Sequence, residues 1–150
     1  MGPRLLLRIS AVLMFIHALF HTLGHLKWKT LSSPSYDEVV KQMTVPKFPF
    51  MGAVHSIGDY FDGYGYFITL AVVLIGCLLW ALSDIAVQYP LVGLKLLIPI
   101  TILIILLFLD TLIFFFPLAS IYCGLCSVTC TMAIVKLNKA HIAEVKGAIK

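Results

Sequence analysis

The chain has 150 residues, of which 61% are hydrophobic and 12% charged, and it carries a net charge of +4 at pH 7. Its mean hydropathy is +1.02. A soluble domain is only about half apolar, and a water-soluble fold of this size must expose much of its surface. The composition therefore excludes a soluble enzyme, a disordered tail and a nucleic-acid module. It predicts a single-domain, all-α, polytopic membrane protein embedded in the lipid bilayer.

Four stretches are long enough to span a bilayer, since a spanning helix needs about 20 mostly apolar residues. They cover residues 5–26, 64–82 (with an extension back to 54), 91–116 and 118–137. Residues 96–135 contain one charged side chain and would extend about 60 Å as one helix, twice a hydrocarbon core of roughly 30 Å. This stretch is therefore a helical hairpin, with its turn at Phe116-Pro117. The four spans predict a four-transmembrane-helix bundle.

The connection over residues 27–51 is the one long loop, and residues 138–150 form a polar tail. Ser35–Gln42 predicts a short surface helix, with Ser35 as N-cap and Glu38 at the capping-box position. Pro46 and Pro49 interrupt regular structure after it.

The distribution of Lys and Arg predicts the orientation. Seven of them fall on the side of the two termini, and four fall in the loop 27–51. The positive-inside rule then places both termini in the cytoplasm and the long loop outside. We expect a multi-pass protein of the bacterial inner membrane.

The first span carries three histidines, His17, His21 and His25, at four-residue spacing on one helical face. Such a face can chelate a transition metal or supply an axial haem ligand. It can also relay protons, since histidine titrates near neutral pH. Alternatively, the histidines hydrogen-bond across the bundle and only pack it.

The start of the second span is rich in acidic, aromatic and glycine residues. His55, Asp59 and Asp62 are candidate ligands, while Gly63 and Gly65 predict a helix break that exposes backbone groups beside the site. A polar or small residue recurs every seven positions and predicts a stripe that faces the bundle: His55, Asp62, Thr69, Gly76 and Ser83.

Asp110 is the one ionisable residue in the third span's long apolar run. A lipid-facing aspartate is costly, so we expect it to face the bundle or a wet cavity, paired with His21 or His17. The alternative is a purely structural ion pair. The predicted pocket comprises seven residues: His17, His21, His25, His55, Asp59, Asp62 and Asp110.

The fourth span carries Cys123 and Cys126 on a face with Ser120, Ser127 and Cys130. Small residues of this kind let membrane helices approach closely. The alternative is a redox Cys-x-x-Cys near a helix N-terminus, similar to the fourth helix of the vitamin K epoxide reductase family. That family relays electrons through a loop cysteine pair, which the loop 27–51 lacks. Cys123 is also a candidate thiolate ligand for a metal.

Two short motifs resemble those of a group of small bacterial four-helix integral membrane proteins. His21-Thr22-Leu23-Gly24-His25 matches the group's H-T-x-G-H, and Phe61-Asp62-Gly63-Tyr64-Gly65 matches its F-x-G-[FY]-G. The resemblance implies a four-helix integral membrane protein and implies no activity.

Three functions follow as hypotheses. The first is binding of a metal ion, haem or small ligand in the polar pocket on the outer side, with redox or proton-transfer chemistry. The second is a noncatalytic accessory or assembly subunit, in a homo-oligomer or a larger membrane complex. The third is a membrane thiol oxidoreductase that uses Cys123 and Cys126. A transition metal or haem is the expected cofactor of the first.

Overall fold

The computed structural model describes residues 1–30 and 33–148. Its elements are α1 (Pro3–Lys27), α2 (Pro34–Thr44), β1 (Lys47–Phe50), β2 (Ala53–Ser56), α3 (Ile57–Gln88), α4 (Pro90–Phe114) and α5 (Pro117–Ala148). Four of them, α1, α3, α4 and α5, are long and apolar enough to cross a membrane. The all-α prediction is confirmed, and these helices make the chain a multi-pass membrane protein by length and composition.

Helices α1 and α4 begin and end within two residues of their predicted bounds, whereas α3 and α5 are longer than predicted. Helix α3 begins at Ile57 and runs unbroken through Gly63 and Gly65. The prediction that these glycines break the helix is wrong. Each glycine costs a helix only about 1 kcal/mol relative to alanine, and the packing of this helix against α1 offsets that cost.

The cap of α2 differs from the prediction. Ser33, not Ser35, is the N-cap, and its Oγ accepts the backbone N–H of Tyr36 at 3.3 Å. Pro34 explains the shift, because proline fits the first helical position, where its missing N–H costs nothing. Glu38 accepts a hydrogen bond from the Gln42 side chain instead of closing a capping box.

A β-hairpin that the sequence analysis missed precedes α3. Strands β1 and β2 are antiparallel, with Phe50 opposite Ala53. The two turn residues, Met51 and Gly52, have φ values of 49° and 85°. Positive φ at both positions is typical of a type I′ turn, which matches the twist of a hairpin. Pro49 is compatible with β1, because each strand of a two-stranded sheet is an edge strand.

The contacts group the chain into two compact units. The first contains residues 1–17 and 72 onward. Within it, α4 and α5 form a hairpin, with Phe115 as the C-cap of α4 and Pro117 opening α5. The predicted turn at Phe116-Pro117 is confirmed. The start of α1 runs antiparallel to the end of α3, since Arg8 contacts Ser83 and Phe15 contacts Gly76.

The second unit contains residues 18–71. It combines the end of α1, α2, the hairpin and the start of α3, again with the two long helices antiparallel. Four members of the predicted heptad stripe contact α1 in their respective units: Asp62, Thr69, Gly76 and Ser83. The fifth, His55, lies in β2 and not in the helix.

Candidate functional site

The two motifs pack against each other in the second unit. The ring of His25, on α1, lies directly over Gly65, on α3. A Cβ added to Gly65 would lie 2.5 Å from His25 Nε2 and closer still to two other ring atoms. Only glycine therefore lets the imidazole approach the backbone of α3 this closely. Tyr66 and Phe61 flank the ring, at centroid distances of 5.1 and 5.8 Å.

Asp62 is the centre of the polar network. Its Oδ1 accepts the indole N–H of Trp28 at 2.7 Å, and its Oδ2 accepts the Lys29 ammonium at 2.5 Å. Its Oδ1 also lies 3.8 Å from His25 Nε2. The exposed fraction of the side chain falls from 45% at Lys29 to 28% at Asp62 and 5% at His25. The ionisable groups thus lead from the surface to a buried imidazole.

His21 continues this arrangement along α1. Its ring lies nearly parallel to that of His25, with an interplanar angle of 11° and a centroid distance of 6.2 Å. Its Nδ1 is 3.0 Å from the hydroxyl of Thr69, which is also 3.2 Å from the Thr22 hydroxyl. Thr22 in turn donates to the Ala18 carbonyl. A residue of the heptad stripe therefore holds this histidine in place.

His55 and Asp59 lie together, but apart from this network. His55 Nδ1 is 3.7 Å from Asp59 Oδ2. The same oxygen accepts the Ser56 N–H, and Ser56 Oγ accepts the Asp59 N–H, which is a reciprocal cap at the start of α3. The sequence contains this signal as Ser56-x-x-Asp59, so the cap could have been predicted.

These two residues border a groove on a different face of α3 from the one that contacts α1. The groove on that face has a volume of about 440 Å³ and is lined by His55, Asp59, Tyr60, Gly63, Tyr64 and Phe67. His25 and Asp62 thus contact each other, and His55 and Asp59 border the groove; the single pocket that contains all seven candidates stays a prediction.

His17 belongs to the first unit, where it is buried against α5. Its Nδ1 lies 3.4 Å from Cys123 Sγ, and its ring lies 6.2 Å from that of Tyr122. Cys126 Sγ donates to the Ser10 carbonyl, and Cys130 Sγ donates to the Ser10 hydroxyl. All three thiols of α5 are fully buried. These contacts with α1 are those of closely packed helices.

Asp110 is exposed on α4, so its side chain does not pack against the helices of its own unit, and the expectation that it faces a wet cavity stays a prediction. The next residue, Thr111, is buried instead, with its hydroxyl bonded to the Phe108 carbonyl. Successive residues of a helix point about 100° apart, and the smaller threonine packs where the carboxylate would need a partner. The pairing of Asp110 with His21 or His17 stays a prediction.

The strongest charged cluster of the first unit was not predicted. Asp84 Oδ1 lies 2.6 Å from Arg4 and 3.3 Å from Arg8. The guanidinium of Arg8 also lies 5.2 Å from the centre of the Trp80 ring. The sequence signal for this cluster is Asp84, the acidic residue directly after Ser83 of the heptad stripe.

In the part of the chain that the structure describes, no three His, Cys, Asp or Glu side chains converge as a group that could hold a metal ion. No protein-family profile, curated protein or solved structure matches this chain.

Proposed function

We propose that the protein is a multi-pass protein of the bacterial inner membrane, with both termini in the cytoplasm, and that the histidine face of α1 transfers protons. One observation supports this most strongly. His25 is a buried imidazole between an ionised carboxylate, that of Asp62, and a second imidazole, that of His21. Histidine is the side chain whose charge changes most readily near neutral pH.

The distance between His25 and Asp62 suits reversible contact. At 3.8 Å it exceeds a hydrogen bond, for which about 2.7–3.2 Å is typical. It is short enough for electrostatic attraction once the imidazole is protonated. Because Lys29 and Trp28 already hold the Asp62 carboxylate, the movement needed falls to the imidazole or to a bridging water.

The Thr69 hydroxyl extends the proposed route beyond His25. A hydroxyl both donates and accepts, so it can pass a proton on while it stays bonded to His21. Proton transfer needs no converging set of ligands, only ionisable groups in succession.

Proton flux into proteoliposomes tests the proposal. A potassium gradient with valinomycin drives uptake, and an enclosed pH-sensitive dye reports it. We expect flux above that of protein-free vesicles, lowered on the order of 10²-fold by His25→Gln or Asp62→Asn, as for loss of a general acid–base group. His141→Gln and Asp37→Asn, the same changes outside the site, should leave the flux unchanged. Wild-type flux equal to that of empty vesicles refutes the proposal.

An accessory subunit is the second candidate, and one observation favours it. Among the described residues, every buried side-chain nitrogen or oxygen has a hydrogen-bond partner. A network in which every buried polar group is hydrogen-bonded can serve only to stabilise the fold. In that case His25→Gln and Asp62→Asn lower the melting temperature while wild type carries no protons. A metal or haem remains a prediction that metal analysis and a visible spectrum of gently purified protein would test.

A further inference from the structure

The groove beside Tyr60 lies outside the proposed proton route, on the other side of α3. Tyr60, Tyr64 and Phe67 follow one another along this face of the helix and line the groove. Tyr64 and Phe67 are 69% and 68% exposed. Gly63, between Tyr60 and Phe67 along the helix, has nothing within 4 Å of an added Cβ, which leaves open space beside the rings.

The depth of the groove can be measured along α3. The apolar run of α3 begins near Tyr64 and continues for about 20 residues, the length that a hydrocarbon core of roughly 30 Å requires at 1.5 Å per residue. One edge of the hydrocarbon therefore falls near Tyr64. Tyr60, Asp59 and His55 then lie within the head-group layer.

The charges at the groove match a zwitterion. The Asp59 side chain is 46% exposed, and the rings of Tyr64 and Phe67, which line the same groove, offer their negative faces to a cation. Positive charge comes from Lys47, which is paired opposite Ser56 in the hairpin and whose charge acts on the Asp59 carboxylate.

The hairpin next to the groove presents an apolar surface outside the four long helices. Phe50, Met51 and Val54 are 54%, 92% and 61% exposed. Side chains of this size are rarely left in water as a contiguous patch. A hairpin tip that rests on the bilayer covers them, which favours a lipid over a soluble molecule as the occupant of the groove.

We propose that this groove binds the head group of a zwitterionic aminophospholipid, phosphatidylethanolamine. The ammonium is held by Asp59 and the rings of Tyr64 and Phe67, and the phosphate is held near Lys47. The site would keep one lipid fixed against the start of α3 and beneath the hairpin.

Native mass spectrometry of protein released from vesicles of equal phosphatidylethanolamine and phosphatidylglycerol tests this site. We expect the retained lipid to be enriched roughly fivefold in phosphatidylethanolamine, the factor that corresponds to about 1 kcal/mol from cation–π contact. Asp59→Asn and Tyr64→Leu should each return the ratio to that of the vesicles. Asp37→Asn and Tyr89→Leu are the matched controls, since both change exposed residues away from the groove.

The two variants separate binding from folding. Asparagine at position 59 keeps a side-chain oxygen for the Ser56 N–H, and Tyr64 has no part in that cap. An unenriched wild type, or enrichment that survives Tyr64→Leu, overturns the proposal. A third measurement uses soluble phosphoethanolamine and follows the chemical modification of Tyr64. If this solute protects Tyr64 while phosphatidylethanolamine is not enriched, the groove binds a free solute, and the lipid assignment is wrong.

Discussion

Replacing Gly65 with alanine tests directly whether the ring of His25 lies over this glycine. The added Cβ would lie 2.5 Å from His25 Nε2, whereas carbon atoms in good contact lie about 3.5–4.0 Å apart. The imidazole must therefore move by roughly 1 Å or more. Only 5% of this side chain is exposed, and aromatic rings flank it, so it cannot simply swing into solvent.

The expected cost follows from two opposing effects. Overpacking of a well-packed site costs about 1–3 kcal/mol, and alanine regains up to about 1 kcal/mol over glycine in a helix. Gly65→Ala should thus destabilise the protein by up to about 2 kcal/mol. Gly63→Ala, two residues away on the same helix with open space around it, should be neutral or slightly stabilising.

Thermal unfolding in detergent, with all variants measured side by side, provides the comparison. Adding His25→Ala to Gly65→Ala should recover part of the lost stability, because the smaller side chain makes room for the new methyl group. If Gly65→Ala melts at the same temperature as Gly63→Ala, His25 does not lie over Gly65, and the motif pairing described above is wrong.

The remaining predictions concern orientation, the hairpin, the charged cluster and α4. In a cysteine-free background, Ser33→Cys should react with an impermeant thiol reagent from outside and Ala143→Cys should not; reversed labelling would invert the topology. Gly52→Ala should cost about 1–2 kcal/mol, because its φ of 85° suits glycine, and an unchanged melting temperature would argue against the turn. Asp84→Asn should cost up to about 1 kcal/mol, less at high salt; a loss insensitive to salt would mean that its ion pairs contribute nothing. Asp110→Leu should leave stability in detergent within about 0.5 kcal/mol, as for an exposed position, and a large loss would show a buried partner.

The spans and the stripe could be predicted because both depend on periodicity and length. A run of 20 apolar residues has few alternatives to a spanning helix. The heptad repeat of Asp62, Thr69, Gly76 and Ser83 predicted the side of α3 that faces the bundle, and all four residues contact α1. A periodic pattern of this kind predicts the packed face of a helix, because the helix that carries the pattern is also the element that packs.

Features set by tertiary contact could not be predicted in the same way. Glycine propensity predicted a break at Gly65, but packing under His25 decided the outcome. The cost of a lipid-facing aspartate predicted that Asp110 turns inward, but packing sets the direction of a side chain around its helix, and the structure turns Thr111 inward instead. The β-hairpin was missed because Pro49 argued against a strand, although the Met-Gly turn was a usable signal.

Proton flux in a double variant tests the central claim most directly. If His25 and Asp62 act in series on one route, the protein with both His25→Gln and Asp62→Asn should lose no more flux than the more damaged single variant. Wild type measured beside them should carry protons well above empty vesicles. Losses that multiply in the double variant would show that the two residues act independently, and they would contradict the proposed route.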